Sequence, residues 1–244
     1  MSAQYSDFTH YPSFRSEMVR GATASVPVLV GVLPFGLLLG AQAAQKGFSV
    51  VSLSLMTGLN FGGGSEFAAL ALWTSPPHVL TIVLVSLLVN SRHLVMGASL
   101  APYLAHLPAR KVMPALFFMC DESWAMSMAD AARRRAVGLS PSFSMGYYAG
   151  MVSAMWLLWL SSTAAGVIIG PALGDVTRWG FDMAFPAVFF VLLKGMWKGL
   201  RVALPWLVSL VCAAATYHFV PGAAYVPVGA ISGILAILLT RGKA

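Results

Sequence analysis

Three polar clusters interrupt the apolar stretches of this 244-residue chain, and their residue types could bind a small charged ligand or a proton. The first is residues 60–66, where a run of glycines precedes Ser65 and Glu66. The second is residues 90–93, Asn-Ser-Arg-His, and the third is residues 120–124, Cys-Asp-Glu-Ser-Trp. Ionisable side chains inside apolar segments are costly in lipid and usually functional, so these clusters are the first candidates for a site.

The glycine run predicts a break in a helix. Each glycine in a helix costs about 1 kcal/mol of stability relative to alanine, and here three follow one another, Gly62, Gly63 and Gly64. A helix that restarts at Ser65 would offer free N–H groups and a positive dipole end to a carboxylate. Glu66 could contact a substrate ammonium or carry a proton. The alternative is that the glycines serve tight helix packing, as small residues do in membranes.

Arg92 lies in the middle of an apolar segment and therefore requires an acid or a backbone carbonyl as partner. It could be the counter-ion of a substrate carboxylate, next to Asn90. The alternative, which we favour slightly, is a structural ion pair with Asp121 or Glu122. We expect His93 to form a hydrogen bond between packed helices rather than to act as a ligand.

Asp121 and Glu122 are candidates for proton coupling. Adjacent residues on a helix point about 100° apart, so only one of the two acids can pair with Arg92 and the other can reach a cavity. Their mutual repulsion favours protonation of one of them. The alternative is a shorter segment with the pair near an interface. Asp130 and the arginines at 133–135 are predicted to form a solvated helix end, and Asp182 to begin a helix.

The composition identifies an integral membrane protein. Hydrophobic residues make up 58% of the chain and charged residues 9%, against about 25% in soluble domains. The net charge of +7 reflects basic residues in short loops and does not indicate nucleic-acid binding. Cys120 and Cys212 fall in apolar stretches and are predicted to be packed thiols. No phosphate-binding loop for ATP is present in the sequence.

The hydropathy predicts an all-α polytopic membrane protein with about seven to eight transmembrane helices and a broken or re-entrant helix around residues 60–66. Residues 1–21 are predicted to form a cytoplasmic arm and 22–244 a single transmembrane domain. The predicted segments are 22–45, 49–73, 78–104, 112–131, 144–170, 181–199, 202–220 and 224–241.

The distribution of Lys and Arg orients the chain. If all eight segments span, ten of the fifteen basic residues lie on the side of the N-terminus, four lie on the other side and Arg92 lies within the membrane. Both termini are therefore predicted to be cytoplasmic. In this arrangement Lys46, Arg110, Lys111 and Arg178 face outward.

The ordered set of motifs resembles the AzlC-type branched-chain amino acid permease family. The resemblance covers roughly residues 20–200 and depends on several short stretches taken together. These are Gly-Val-Leu-Pro-Phe-Gly at 31–36, Phe-Gly-Gly-Gly-Ser-Glu-Phe at 61–67, Asn-Ser-Arg at 90–92, Ser-Leu-Ala-Pro-Tyr-Leu at 99–104, Asp-Glu-Ser-Trp at 121–124 and Phe-Asp-Met-Ala-Phe-Pro-Ala at 181–187.

The resemblance implies a transporter that exports valine, leucine, isoleucine or their analogues from a bacterium through its inner membrane. It also implies a partner, a small AzlD-like membrane subunit. Where the family usually has glutamine, this chain has Glu66, and an acid there could change the substrate or the coupling ion.

The polar groups fit an amino acid zwitterion. The amides near Gly64 and Ser65, or Arg92, would hold the carboxylate, and Glu66 or Asp121 the ammonium. An aliphatic wall from segments one and six would take the side chain. We therefore expect a secondary transporter driven by the proton motive force, with no cofactor, metal or enzymatic activity.

Two other classes of function compete with transport. A channel or structural subunit would lack saturable transport or tolerate loss of the polar groups. An intramembrane serine hydrolase would need Ser65 to be activated by His93 or His218.

Overall fold

The structure is a computed structural model that describes residues 13–173, 199–221 and 224–241. Within these ranges the chain forms ten α-helices and no strands. In chain order they are α1 (Phe14–Gln45), α2 (Val50–Asn60), α3 (Gly64–Ala71), α4 (Val79–Asn90), α5 (Arg92–Leu104), α6 (Ala109–Phe117), α7 (Asp121–Ala136), α8 (Met145–Leu173), α9 (Leu200–Phe219) and α10 (Tyr225–Arg241). The predicted all-helical, polytopic architecture is confirmed.

Helices α1 and α8 form the most extensive helix pair and run parallel to each other. Glycines allow the two backbones to touch: a Cβ at Gly40 would overlap the carbonyl oxygen of Thr163, and a Cβ at Gly166 would overlap that of Leu37. Close approach through small residues is the common way for helices to associate in lipid. The further glycines at which a Cβ would overlap the opposite helix are Gly21, Gly36, Gly146, Gly150 and Gly170.

We call the end of the molecule at which α1 and α8 begin the basic end, because several arginines lie there. Arg20 of α1 binds Asp130 of α7 through two hydrogen bonds of 2.7 and 3.0 Å. Arg134 of α7 donates to Glu17 at 3.0 Å, and Ser144 also donates to Glu17. These bonds fix the end of α7 to the start of both long helices.

The basic end corrects one prediction. Asp130 was expected at a solvated helix end, but its side chain is buried and paired with Arg20. Arg134 is also largely covered, at 11% exposure of its side chain. Only Arg133 and Arg135 of the three successive arginines are exposed, so the run is amphipathic rather than uniformly solvated.

Helices α2 and α3 form a re-entrant hairpin, the first hairpin, that enters from the end opposite to the basic end. At about 1.5 Å per residue, helices of eleven and eight residues are about 16 and 12 Å long, too short to cross a hydrocarbon core of about 30 Å. The hairpin returns to its starting level, since Lys46 donates to the carbonyl of Trp73 at 3.1 Å and the Phe48 and Trp73 rings lie 4.6 Å apart. The predicted break at residues 60–66 is therefore a re-entrant turn.

Helices α6 and α7 form a second hairpin that enters from the basic end. α6 runs along the first half of α8, where Tyr148 donates to the carbonyl of Ala115 and the rings of Phe118 and Trp156 meet edge to face. The chain then turns at 118–120, and α7 returns to the arginines of the basic end. Segment 112–131 was predicted as one helix, and this break was not anticipated.

Helices α4 and α5 together form one continuous candidate span, Val79–Leu104, with Ser91 as the joint between them. The other candidate spans among the described residues are Phe14–Gln45 and Met145–Ala172. The turns of the two hairpins meet at the joint of the Val79–Leu104 span, where Arg92 bonds to both Gly62 and Asp121. The chain thus combines full spans with half-depth helices.

Because of the second hairpin, two basic residues lie at the opposite end from the one that was predicted. Arg135 at the end of α7 stacks over the ring of Tyr103 at the end of α5, so the loop that follows α5 lies at the basic end. Arg110 and Lys111, which directly follow this loop, lie there too rather than at the opposite end as eight successive spans would require. This concentration of positive charge at one end is typical of a cytoplasmic face.

Apart from the start of α1, which lies within the predicted arm 1–21, the remaining boundaries are close to those predicted. α1 begins at Phe14 instead of residue 22, with Ser13 capping it by accepting a hydrogen bond from the Ser16 amide. α9 and α10 pack on each other, with Ser209 donating to the carbonyl of Gly229. Segment 181–199, Asp182 and Arg178 lie outside the described residues.

We expect cysteine labelling to detect the first hairpin. In a variant without native cysteines, Lys46→Cys and Thr74→Cys should react with an impermeant maleimide from the same side of the membrane. His106→Cys and Leu139→Cys should react only from the other side. Labelling of Lys46→Cys and Thr74→Cys from opposite sides would mean that residues 49–73 span the membrane.

We expect Gly40→Ala to destabilise the α1–α8 pair. The added Cβ overlaps a backbone oxygen, and overpacking of this kind costs about 1–3 kcal/mol. Gly31→Ala is the matched control on the same helix, because nothing lies within 4 Å of a Cβ there. The melting temperature of the protein in detergent should fall for Gly40→Ala and stay level or rise for Gly31→Ala, and equal melting temperatures would contradict this account of the packing.

Candidate functional site

The candidate site is the place where the breaks of three helix pairs meet. We call it the central site and define it by Gly62, Glu66, Asn90, Arg92 and Asp121. These residues come from the first hairpin, the joint of the α4–α5 span and the turn of the second hairpin. Most of the residues predicted from the sequence as binding or coupling groups are thus brought together.

The turn of the first hairpin has a backbone that favours glycine. Gly63, the residue before α3, has φ 53° and ψ −85°, a conformation that side chains with a Cβ rarely adopt. Phe61 has φ 46° and stores strain of roughly 1–3 kcal/mol, which its buried ring helps to hold. α3 begins directly afterwards at Gly64, and no side chain caps it. Its first amides, at Gly64 and Ser65, have no acceptor among the described residues.

Glu66 lies in the first turn of α3 and is 1% exposed. Its Oε1 accepts from the amide of Gly62 at 3.1 Å and from Asn60 Nδ2 at 3.4 Å. Its Oε2 accepts from the indole N–H of Trp159 on α8 at 2.8 Å. The carboxylate therefore joins both halves of the first hairpin to one of the long helices.

Arg92, the first residue of α5, joins the two hairpins. One guanidinium nitrogen donates to the carbonyl of Gly62 at 3.1 Å, and another forms an ion pair with Asp121 at 2.9 Å. The predicted pairing of Arg92 with Asp121 is thus present. Both side chains are about one-third exposed, so the pair borders a space that other groups can enter.

Amide and imidazole groups complete the connections between the breaks. Asn90 donates to the side-chain oxygen of Asn60 at 3.2 Å, while its own Oδ1 is buried without a partner among the described residues. His93 contacts the carbonyls of Asn90 and Met119 at 3.0 and 3.1 Å. Its predicted role in helix packing is therefore what the contacts indicate.

Asp121 and Glu122 point in different directions, as expected for neighbours on a helix. Asp121 faces Arg92, and Glu122 lies beside the thiol of Cys120. The turn before them is held by Ser123, whose hydroxyl accepts from the Cys120 amide at 2.9 Å and donates to the Cys120 carbonyl at 3.0 Å. The returning helix of the second hairpin, α7, therefore begins at the central site.

Trp159 donates a hydrogen bond to Glu66 but was not among the site residues predicted from the sequence. Tryptophans of membrane proteins are often anchors at the membrane–water interface. The position of Trp159 in the middle of the 29-residue helix α8, far from either end, is a signal against an interfacial role. Asn60, which binds Ser65, Glu66 and Asn90, lay within the first predicted cluster but was not among the proposed site residues.

The contacts give no support to a serine hydrolase. The Ser65 hydroxyl is fully buried and accepts from Asn60 Nδ2 at 2.8 Å. His93 is engaged with two backbone carbonyls, and no histidine is bonded to Ser65 among the described residues. Within the same part of the chain, no group of three or more His, Cys, Asp or Glu residues could hold a metal ion.

Full spans, two opposed hairpins and a polar centre define a polytopic helical membrane protein with an internal site. A family model described as AzlC protein matches residues 27–173, which is more than half of the chain and contains the whole central site. The chain belongs to the AzlC family.

Relatives from bacteria and an archaeon extend the similarity beyond the family match. An uncharacterized membrane protein of Archaeoglobus fulgidus is 29% identical over 93% of this chain and 96% of its own length. The branched-chain amino acid transport protein AzlC of Bacillus subtilis is 24% identical over 88% of this chain and 82% of its own. The inner membrane protein YgaZ of Escherichia coli is 23% identical over 91% and 88% of the two chains. No solved structure matches the chain.

We expect the Arg92–Asp121 pair to contribute to stability as a unit. Arg92→Ala and Asp121→Ala should each lower the melting temperature in detergent, because each leaves a charge unpaired. The double variant should be less destabilised than the sum by about 1 kcal/mol, the coupling typical of residues in contact. Arg110→Ala, at an exposed position near the start of α6, is the control that should leave the melting temperature unchanged. Strict additivity would show that the pair is not formed in the folded protein.

Proposed function

We propose that this protein is a membrane transporter and that the central site binds its substrate. The observation that carries the proposal is the meeting of two half-depth hairpins, entering from opposite ends, at a glycine backbone with one cation and two acids. Irregular backbone at membrane depth persists only where it is buried in protein or lines a polar cavity. Broken helices that bring their ends together near the midplane are typical of substrate sites in secondary transporters.

We propose a hydrophobic, branched-chain amino acid as the substrate. Arg92 and the amides of Gly64 and Ser65 suit a carboxylate, while Glu66, Asp121 and Asn90 Oδ1 suit an ammonium; the two amides and the Asn90 oxygen have no partner within the described part of the chain. The name of the Bacillus subtilis relative supports the same class. Gly63 contributes by letting the substrate approach the backbone, because nothing lies within 4 Å of a Cβ there, whereas the absence of a side chain at Gly62 makes room for Ser65, Asn60 and Asn90.

A nearby cavity supports an apolar substrate. It has a volume of about 370 Å³ and lies between α6 and α8, with Lys111 near the basic end and Trp156 deeper inside. The lining is mainly apolar, as expected for a small-ligand path. Trp156 donates to the carbonyl of Gly58, so the inner end of the cavity touches the first hairpin. We propose that this cavity is the route between the basic end and the central site.

The remaining features of the proposal concern energy, direction and partners. We propose export from the cytoplasm driven by the proton motive force, with Asp121, Glu122 or Glu66 carrying the proton. The positive charge at the basic end favours a cytoplasmic location for that end and for both termini. A small AzlD-like subunit is the proposed partner, and the bacterial inner membrane the proposed location.

We expect uptake of labelled leucine into inside-out vesicles when the chain is co-expressed with an AzlD-like partner. Uptake should saturate and should collapse with a protonophore. Arg92→Ala should abolish uptake because it removes the site's cation and its contact to Gly62. Arg110→Ala should leave uptake unchanged.

Other outcomes would favour the competing functions. Flux that rises linearly with leucine concentration would indicate a channel. Normal flux in a triple variant that lacks the side chains of Glu66, Arg92 and Asp121 would indicate a structural subunit. Absence of any leucine transport by folded wild-type protein would remove the proposed substrate.

A further inference from the structure

Glu66 has a hydrogen-bonding environment that fits only one of its protonation states. The three groups bonded to its carboxylate, the Gly62 amide, Asn60 Nδ2 and the Trp159 indole, are all N–H donors. A carboxylate accepts from all three. A neutral carboxylic acid carries one O–H, and that group would face a donor instead of an acceptor. Protonation therefore weakens the contact at the protonated oxygen, because a hydroxyl oxygen is a poorer acceptor than a carboxylate oxygen and the new O–H finds no acceptor among these three groups.

Glu66 also has no cationic partner among the described residues. The nearby Arg92 is engaged with Asp121 and with the carbonyl of Gly62. His93 is bonded to two backbone carbonyls, and Glu122 lies beside Cys120. The other elements packed against Glu66 face it with neutral groups, from Asn60 on α2 and Trp159 on α8. The charge of a side chain that is 1% exposed is thus held by hydrogen bonds alone, and an unpaired charge at such depth is costly.

We propose that Glu66 is the residue that binds and releases the coupling proton, and that its protonation frees the first hairpin from Trp159. The proposal rests on the proposed transport function and assigns one step of it to a residue. A proton from the side opposite to the basic end adds to the carboxylate and gives the neutral acid. The same proton leaves toward the basic end, and the carboxylate is restored.

The contact with Trp159 explains how the proton can drive movement. α8 is packed backbone to backbone on α1, so this pair forms a rigid support. The first hairpin is attached to α8 by few polar bonds: Glu66 to Trp159, Gly58 to Trp156 and Thr57 to Thr163. The first of these is the only one of the three that involves a titratable side chain. Loss of it therefore loosens the hairpin against a support that stays fixed.

Asp121 is less suited to this role than the sequence analysis assumed. It is paired with Arg92 at 2.9 Å, and a proton would have to displace a cation. Its protonation would leave the guanidinium without its acid inside the membrane. We assign Asp121 to holding Arg92 in position and Glu66 to carrying the proton.

The first test replaces Glu66 with glutamine in the leucine vesicle assay. Glu66→Gln has the shape of the protonated acid but cannot titrate. We expect net accumulation to fall to the level that the wild type reaches with a protonophore, and we measure the exchange of labelled for unlabelled leucine in the same vesicles. The exchange rate should also lose its dependence on pH. Protonophore-sensitive accumulation by Glu66→Gln would overturn the proposal.

The second test uses two tryptophans of the same helix. Trp159→Phe removes one donor of the carboxylate and should move the pH profile of transport to higher pH by about one unit, since the loss of a hydrogen bond to the charged form favours protonation. Trp156→Phe is the matched control, because its indole donates to a backbone carbonyl. It should leave the pH profile in place. Equal shifts, or no shift in Trp159→Phe, would show that Trp159 is only a packing residue.

These tests separate the two proposals from each other. Wild-type protein that transports no leucine contradicts the proposed function. If the wild type transports leucine in a protonophore-sensitive way and Glu66→Gln transports it in the same way, only the assignment of the proton to Glu66 is contradicted. If Glu66→Gln neither exchanges nor accumulates leucine, the comparison of Trp159→Phe with Trp156→Phe decides.

Discussion

The structure depends on one constraint: backbone groups exposed by a helix break have no water to bind at membrane depth. The breaks of this chain meet this requirement largely with side chains from other segments. The carbonyl of Gly62 accepts a hydrogen bond from Arg92 of α5, and His93 contacts the carbonyl of Met119. The amide of Gly62 donates to Glu66. Because each break supplies hydrogen-bond partners for another, the breaks have to lie close together. The polar centre therefore follows from the hydrogen-bonding requirement of the backbone, before any substrate is considered.

Concentrating the breaks also concentrates charge. One arginine and one aspartate neutralise each other, whereas Glu66 is stabilised only by N–H donors among the described residues. A site of this kind is unsatisfied in two ways: it offers free α3 amides to an anion and an unpaired carboxylate to a cation. An amino acid carries both charges on groups bonded to the same carbon atom, which is why a zwitterion fits better than a simple anion or amine.

The sequence was sufficient for the break at residues 60–66, since three glycines mark it directly. It was insufficient for the break at 118–120, because Phe118, Met119 and Cys120 are not residue types that indicate a helix break. The turn is held by Ser123, three residues further along the chain, and by His93 from another helix. Asp130 was misjudged for a similar reason. Its neighbours Arg133 and Arg135 are exposed, but its own partner, Arg20, lies 110 residues away in the chain. Local sequence patterns do not reveal partners that are remote in the sequence.

The distribution of glycines suggests how rigid and movable parts are divided. Those of α1 and α8 bring two backbones into contact over the length of the pair, and a Cβ at most of them would meet backbone atoms. In the turn of the first hairpin, a Cβ at Gly62 would overlap the Ser65 hydroxyl, whereas nothing lies within 4 Å of a Cβ at Gly63, whose φ of 53° favours glycine. Glycines thus bring two backbones into contact in one part of the molecule and form a tight turn in another. Glu66, bonded to Trp159, connects the two parts, so a change in its charge acts where the hairpin meets the packed helix pair.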